Sequence, residues 1–226
     1  MDKKVPVLQA LLQQKMLPLY FHKSINISVG VLQALYKGGI RVVEYTSRGE
    51  AALENFKQLK KLVDQSMPGM LLGIGTIKTA EQAKAYVTAD ADFIVCPTIN
   101  PEVGVVAKGA GLLWIPGCMT PTEIANAEGA GAELVKIFPG NILGPGYISA
   151  VKELFPGLML MPTGGVEVKK ENLEAWFDSG VVAVGMGSKL ITKQAMEAED
   201  YEDIAQAAEA ALQLVQEVTA NAQKEL

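Results

Sequence analysis

Short apolar runs alternate with amphipathic segments along this chain, and the alternation is regular. The runs fall at residues 17–21, 42–46, 71–76, 93–97, 112–117, 134–139, 158–163 and 181–185. They are aliphatic or β-branched and continuous, as strands buried on both faces of a parallel sheet are. Between them, residues 51–64 place Leu53, Phe56, Leu59, Leu62 and Val63 on one helical stripe. Thr79 followed by Glu81 and Gln82 predicts a helix start, as does Thr120-Pro121-Thr122-Glu123. Residues 5–15 predict an extra N-terminal helix, and residues 200–225 a long, Ala-rich closing helix. Eight strands, each followed by a helix, predict an α/β chain of the (β/α)8 TIM-barrel class. An open doubly wound sheet is the alternative, but no Gly-x-Gly-x-x-Gly opens a helix after the first run. No linker or low-complexity tract interrupts the pattern, so residues 1–226 are read as a single domain.

Composition narrows the class. Hydrophobic residues make up 49% of 226, enough for a full core. A net charge of −5 argues against a broad basic nucleic-acid footprint. It leaves room for a local anion site built from backbone N–H groups. Cys96 and Cys118 lie far apart in no metal-ligand spacing and read as reduced thiols. A single histidine argues against a multi-histidine metal site, and no metal is expected. The first residues lack the long apolar core of a signal peptide, and no apolar run reaches membrane-spanning length. A soluble, cytoplasmic protein is the expectation.

In such a barrel the chemistry sits at the C-terminal ends of the strands. Lys136 stands inside the sixth run, Leu134-Val135-Lys136-Ile137-Phe138-Pro139. Burying a cation there is costly, a buried lysine sheds its proton more readily, and a neutral amine is a nucleophile. A solvated edge-strand lysine is the competing reading. Glu44 and Thr46 project to one side of the second strand, with Arg48 beyond them. Glu44 would face either a substrate proton or a structural salt bridge to Lys136 or Arg48. Thr76 ends the third run and Pro97 the fourth. Thr163-Gly164-Gly165 ends the seventh, and Gly185-Met186-Gly187-Ser188 ends the eighth. Loops after the last two strands of these barrels hold phosphate, and glycine lets backbone N–H groups approach it. Ser188 would add a hydroxyl, at a helix N-terminus if one follows. His22 and Lys23 follow the first run, either as contacts to a substrate anion or as a solvated loop pair. Neither cysteine has a base beside it in sequence to activate it.

Taken in order, these segments resemble the 2-keto-3-deoxy-6-phosphogluconate (KDPG) aldolases and the overlapping 4-hydroxy-2-oxoglutarate (KHG) aldolases. The segments are Gly39-Ile40-Arg41-Val42-Val43-Glu44-Tyr45-Thr46-Ser47-Arg48, Gly73-Ile74-Gly75-Thr76, Ile115-Pro116-Gly117-Cys118-Met119-Thr120 and the stretch around Lys136. Pro162-Thr163-Gly164-Gly165 and Gly185-Met186-Gly187-Ser188 complete them, and the likeness runs from about residue 17 to 190. It implies a cofactor-free class I aldolase on a (β/α)8 barrel, homotrimeric, acting on a small 2-keto acid. By the same resemblance Lys136 is the Schiff-base lysine and Glu44 the general acid/base. Arg48 and Thr76 bind the keto-acid carboxylate and reacting end, Pro97 and Phe138 wall the pocket, and Gly164, Gly165, Gly187 and Ser188 hold phosphate. The chain departs from the family pattern at Tyr45 and Ser47, and at Gly140 after Pro139. The family's arginine after strand 1 is absent, and His22 or Lys23 stands in its region. The alternative is another sugar-phosphate-binding barrel, epimerase-like or non-catalytic.

Overall fold

The computed structural model describes residues 2–222. Helix α1 (Lys4–Gln14) precedes β1 (Met16–Tyr20), and then strands and helices alternate. They are α2 (Ile25–Lys37), β2 (Val42–Thr46), α3 (Ala52–Ser66), β3 (Leu71–Gly75), α4 (Ala80–Thr88), β4 (Phe93–Val95) and α5 (Pro101–Gly109). The chain continues with β5 (Leu113–Ile115), β6 (Gly117–Cys118), α6 (Pro121–Gly129), β7 (Leu134–Ile137), α7 (Gly140–Leu154) and β8 (Met159–Pro162). It closes with α8 (Lys170–Asp178), β9 (Val184–Met186), α9 (Lys193–Glu197) and α10 (Tyr201–Ala222). Every strand pair is parallel. Six strands lie in the order β5-β4-β3-β2-β1-β9 and three in the order β6-β7-β8. The sheet curls into a half-barrel, with one apolar core between strands and helices and a second inside the curve.

The inner core explains the N-terminal helix. Val7 and Leu11, four residues apart on α1, are fully buried against Leu17, Val42, Phe93, Leu113, Leu134 and Met161. A side chain of this size contributes about 1.5–3 kcal/mol when fully buried. Gln14, at the end of α1, locks the helix to the strands. Its Nε2 donates to the Met16 and Val42 carbonyls at 2.7 and 2.8 Å, and its Oε1 accepts from the Arg41 and Val42 amides at 2.6 and 3.0 Å. The plug leaves the opposite end of the strands free for chemistry.

Most predicted elements form where the pattern puts them. Thr79 caps α4, and Thr120 with Glu123 makes a reciprocal capping box on α6. Three details differ. The fifth apolar run is two strands, because Pro116 has no N–H to give to a ladder; its carbonyl accepts from the Lys136 amide at 2.8 Å instead. The eighth strand starts at Val184, three residues later than the apolar run. A five-residue helix, α9, capped by the Thr192 hydroxyl, intervenes before the closing helix. Residues 223–225 of the predicted closing helix lie outside the described residues. Among the described residues no helix is long and apolar enough to cross a membrane.

Candidate active site

β2 and β7 each carry one charged residue into the interior of the curled sheet. Glu44 sits in a strand whose five residues are all buried, and Lys136 in a strand whose four residues are all buried. Their side chains retain 1% and 7% of their exposure, and Lys136 Nζ lies 3.9 Å from Glu44 Oε1. Neighbouring glycines make room, Gly75 for the carboxylate and Gly73 for a ring beside it. A Cβ at Gly75 would fall on Glu44 Oε1, and a Cβ at Gly73 on the Phe93 ring. Neither carboxylate oxygen of Glu44 has a hydrogen-bond partner. Burial raises the Glu44 carboxyl above its ordinary value, while the Lys136 and Arg48 cations pull it back down. The pair is therefore a buried acid and a buried amine, close but not engaged.

A cleft of about 350 Å³ opens where the strands end. It is lined by Arg48, Phe138, Thr163, Gly164, Gly165, Gly185, Gly187 and Ser188, all singled out from sequence, and by Thr46. Phe138 joins it to the buried pair, with Lys136 Nζ 5.4 Å from the ring centre. Gly164 and Gly165 have φ of 94° and 74°, so only glycine takes this turn without strain. Thr163 Oγ1 is buried without a partner, and a Cβ at Gly185 would strike it. Thr76 stands just past the floor of the pair at φ 64°, a left-handed conformation that a β-branched residue rarely adopts. Strain of this kind clusters at functional sites.

Other predicted residues sit elsewhere. Ser188 is in a turn, not at a helix N-terminus; the next helix begins at Lys193. Thr76, Pro97, His22 and Lys23 do not line the cleft. His22 accepts the Ser24 amide on Nδ1 at 3.1 Å, which leaves the proton on Nε2, 3.6 Å from Glu197 Oε1 on α9. Its carbonyl accepts from the Tyr45 hydroxyl, Ser28 Oγ and Asn55 Nδ2. Tyr45, a departure from the family pattern, thus braces the β1–α2 loop from behind the sheet. Burial pushes the Cys96 and Cys118 thiols up to about 12, which removes them as nucleophiles at neutral pH. No group of metal ligands occurs among the described residues.

Sequence reasoning passed over Lys189, Lys193 and Met196, which also line the cleft. Lysines so soon after Gly187-Ser188 were the available signal, and the Thr192 cap predicts the short helix that places Lys193.

Comparison with known proteins shows the family. The model of the KDPG and KHG aldolase family matches residues 7–207. The 2-dehydro-3-deoxy-phosphogluconate aldolase of Treponema pallidum is 31% identical over 212 residues, 93% of this chain and 98% of the relative. The 2-dehydro-3-deoxy-6-phosphogalactonate aldolase of Escherichia coli K12 is 38% identical over 135 residues, 59% of this chain and 65% of the relative. The KDPG aldolase of Legionella pneumophila, solved with pyruvate captured as a covalent carbinolamine, superposes with a TM-score of 0.81 at 26% identity, covering 89% of this chain and 96% of that one. With a match that spans nearly the whole chain, this protein belongs to the KDPG and KHG aldolase family.

Proposed function

We propose that this protein is a class I aldolase that cleaves 2-keto-3-deoxy-6-phosphogluconate, 4-hydroxy-2-oxoglutarate or both, with Lys136 as the imine-forming residue. The observation that supports it most is the buried, unbonded Lys136–Glu44 pair at 3.9 Å beneath a glycine-lined cleft. Neutral Lys136 Nζ attacks the C2 ketone and gives a carbinolamine. Loss of water leaves an iminium that withdraws electrons from C3. The Glu44 carboxylate takes the C4 hydroxyl proton, directly or through a water; C4–O becomes a carbonyl, the C3–C4 bond breaks, and its electron pair forms the enamine. Protonation at C3 and hydrolysis release pyruvate. The other product is glyceraldehyde 3-phosphate or glyoxylate, according to substrate. Thr163 and the glycines of the two loops hold the far end of the substrate, and Arg48 the carboxylate end.

Incubation with pyruvate and borohydride tests this reading. A stable adduct mapped to Lys136 by peptide mass spectrometry is the expected result. Folded protein without an adduct would point to the epimerase-like or non-catalytic alternative.

The same reading takes the strands as one closed (β/α)8 barrel in a single domain. Two sets of contacts support closure. β6 continues β5 past Pro116 and pairs with β7, and the Val182 amide reaches the Leu160 carbonyl while Thr163 bridges Gly185. The family resemblance implies a homotrimer and the sequence pattern suggests a cytoplasmic location; light scattering in solution and cell fractionation test them.

A further inference from the structure

The cleft is cationic in an acidic protein. Its lining holds Arg48, Lys189 and Lys193 and no carboxylate, although the chain carries a net charge of −5. The three cations are not equivalent. Lys189 Nζ lies 3.3 Å from Glu167 Oε1, a carboxylate it shares with Lys169. Arg48 stands at the end of β2, on the side of the reacting pair, where its charge acts on Glu44. Lys193, exposed on α9, has no carboxylate partner among the described residues. The carboxylate best placed to neutralise it is Glu197, four residues on along the same helix. That carboxylate lies beside His22 instead, 3.6 Å from Nε2. The Lys193 charge is therefore left free beside the loop of Gly187 and Ser188.

We infer that Lys193 is a specificity-determining residue that pairs with the terminal phosphate of the keto acid. The inference rests on the aldolase reading and deepens it, because it assigns discrimination between phosphorylated and unphosphorylated keto acids to one residue outside the glycine loops. A phosphate monoester is close to a dianion at neutral pH and offers three acceptor oxygens. Glycine N–H groups reach one side of it, and a lysine on a flexible stem reaches the other as a point charge.

The test compares 2-keto-3-deoxy-6-phosphogluconate with its unphosphorylated counterpart of identical carbon chain. For Lys193→Ala, KM for the phosphorylated substrate should rise about tenfold with kcat nearly unchanged, the scale of one lost charge-assisted contact. The preference for the phosphorylated substrate should fall by the same factor, and Lys193→Arg should restore most of it. Lys61→Ala, an exposed charge on α3 away from the cleft, should leave the preference intact. An unchanged preference in Lys193→Ala, or an equal loss in Lys61→Ala, overturns the inference. Pyruvate–borohydride labelling of Lys136 in the parent protein separates the two failures: with labelling present, only the role of Lys193 is lost, and without it the aldolase reading falls first.

Discussion

Among the described residues, two buried lysine–carboxylate groupings lie at opposite ends of the strands, and they differ in one respect. Near the N-terminal ends, Lys60 of α3 donates to Asp64 at 2.7 Å and lies 3.3 Å from Asp92 Oδ2. Asp92 is fully engaged: Oδ1 accepts from Lys3 at 3.0 Å, and Oδ2 accepts from the Leu72 amide at 2.9 Å. Burial alone would lower Lys60, but Asp64 and Asp92 outweigh it and leave its pKa raised. At the other end, Lys136 and Glu44 are at least as deeply buried, yet stand 3.9 Å apart, and the carboxylate accepts no hydrogen bond. A satisfied buried network holds structure together; an unsatisfied one keeps its reactive groups available. Residue type and burial are shared, so hydrogen-bond satisfaction distinguishes the structural group from the chemical one.

The sharpest way to break this comparison is to remove the amine while keeping charge and bulk. Lys136→Arg cannot form an imine, and lyase activity should fall by about 10⁴-fold or more, since loss of a covalent nucleophile removes the reaction path itself. Steady-state assay with borohydride trapping checks both; retained turnover would make Lys136 a structural cation like Lys60. Next in size is Glu44→Gln. It preserves shape but loses the base, so kcat should drop by about 10²–10⁴-fold, the range for general acid–base catalysis. Pyruvate labelling of Lys136 should persist in that variant. If turnover persisted too, the proton would travel by another route.

These two residues were also the most legible. A lone lysine in Leu134-Val135-Lys136-Ile137 and a lone carboxylate in Val42-Val43-Glu44 interrupt runs that otherwise read as buried strand, and such exceptions show without coordinates. The strand pattern and the glycine loops were legible for the same reason: period and turn chemistry are local. What escaped depends on chain-distant partners. Nothing local to His22 announces Glu197, and nothing local to Lys60 announces Asp92. Lys193 enters the cleft only because α9 folds back beside the last strand. Pro116 is a different case. It is a visible ladder-breaker in the fifth run, although the continuous apolar character of the run predicts one strand.

The structural grouping should respond in the opposite sense. Asp92→Ala leaves the Leu72 amide without its acceptor and Lys60 and Lys3 without a shared counter-charge. The cost should be about 3 kcal/mol, as for breaking a buried pair. Denaturant unfolding measures it, and kcat below the unfolding transition should stay close to the parent value. A large loss of kcat with unchanged stability would reverse the roles assigned to the two ends.

The smallest expected effect concerns pH. Glu44 must be ionised to accept a proton, so activity should rise with pH through its folded-state pKa. Burial raises that pKa above the ordinary carboxylate value, and Lys136 and Arg48 restrain the rise. The acid limb of kcat should therefore lie above 4.5, the ordinary value for a glutamate. Stability runs the other way. Between the ordinary and the raised value the folded state binds the extra proton, so ionising Glu44 costs stability as pH rises through that window. Arg48→Gln removes one restraining cation, and the acid limb should move to higher pH. The shift should be modest, since Arg48 is the last-ranked of the three influences on Glu44 and is itself exposed. A limb that moved to lower pH, or did not move in Arg48→Gln while moving in a salt titration, would mean that the limb belongs to a group other than the unbonded carboxylate. The contrast between the two ends would then rest on the imine-forming amine alone.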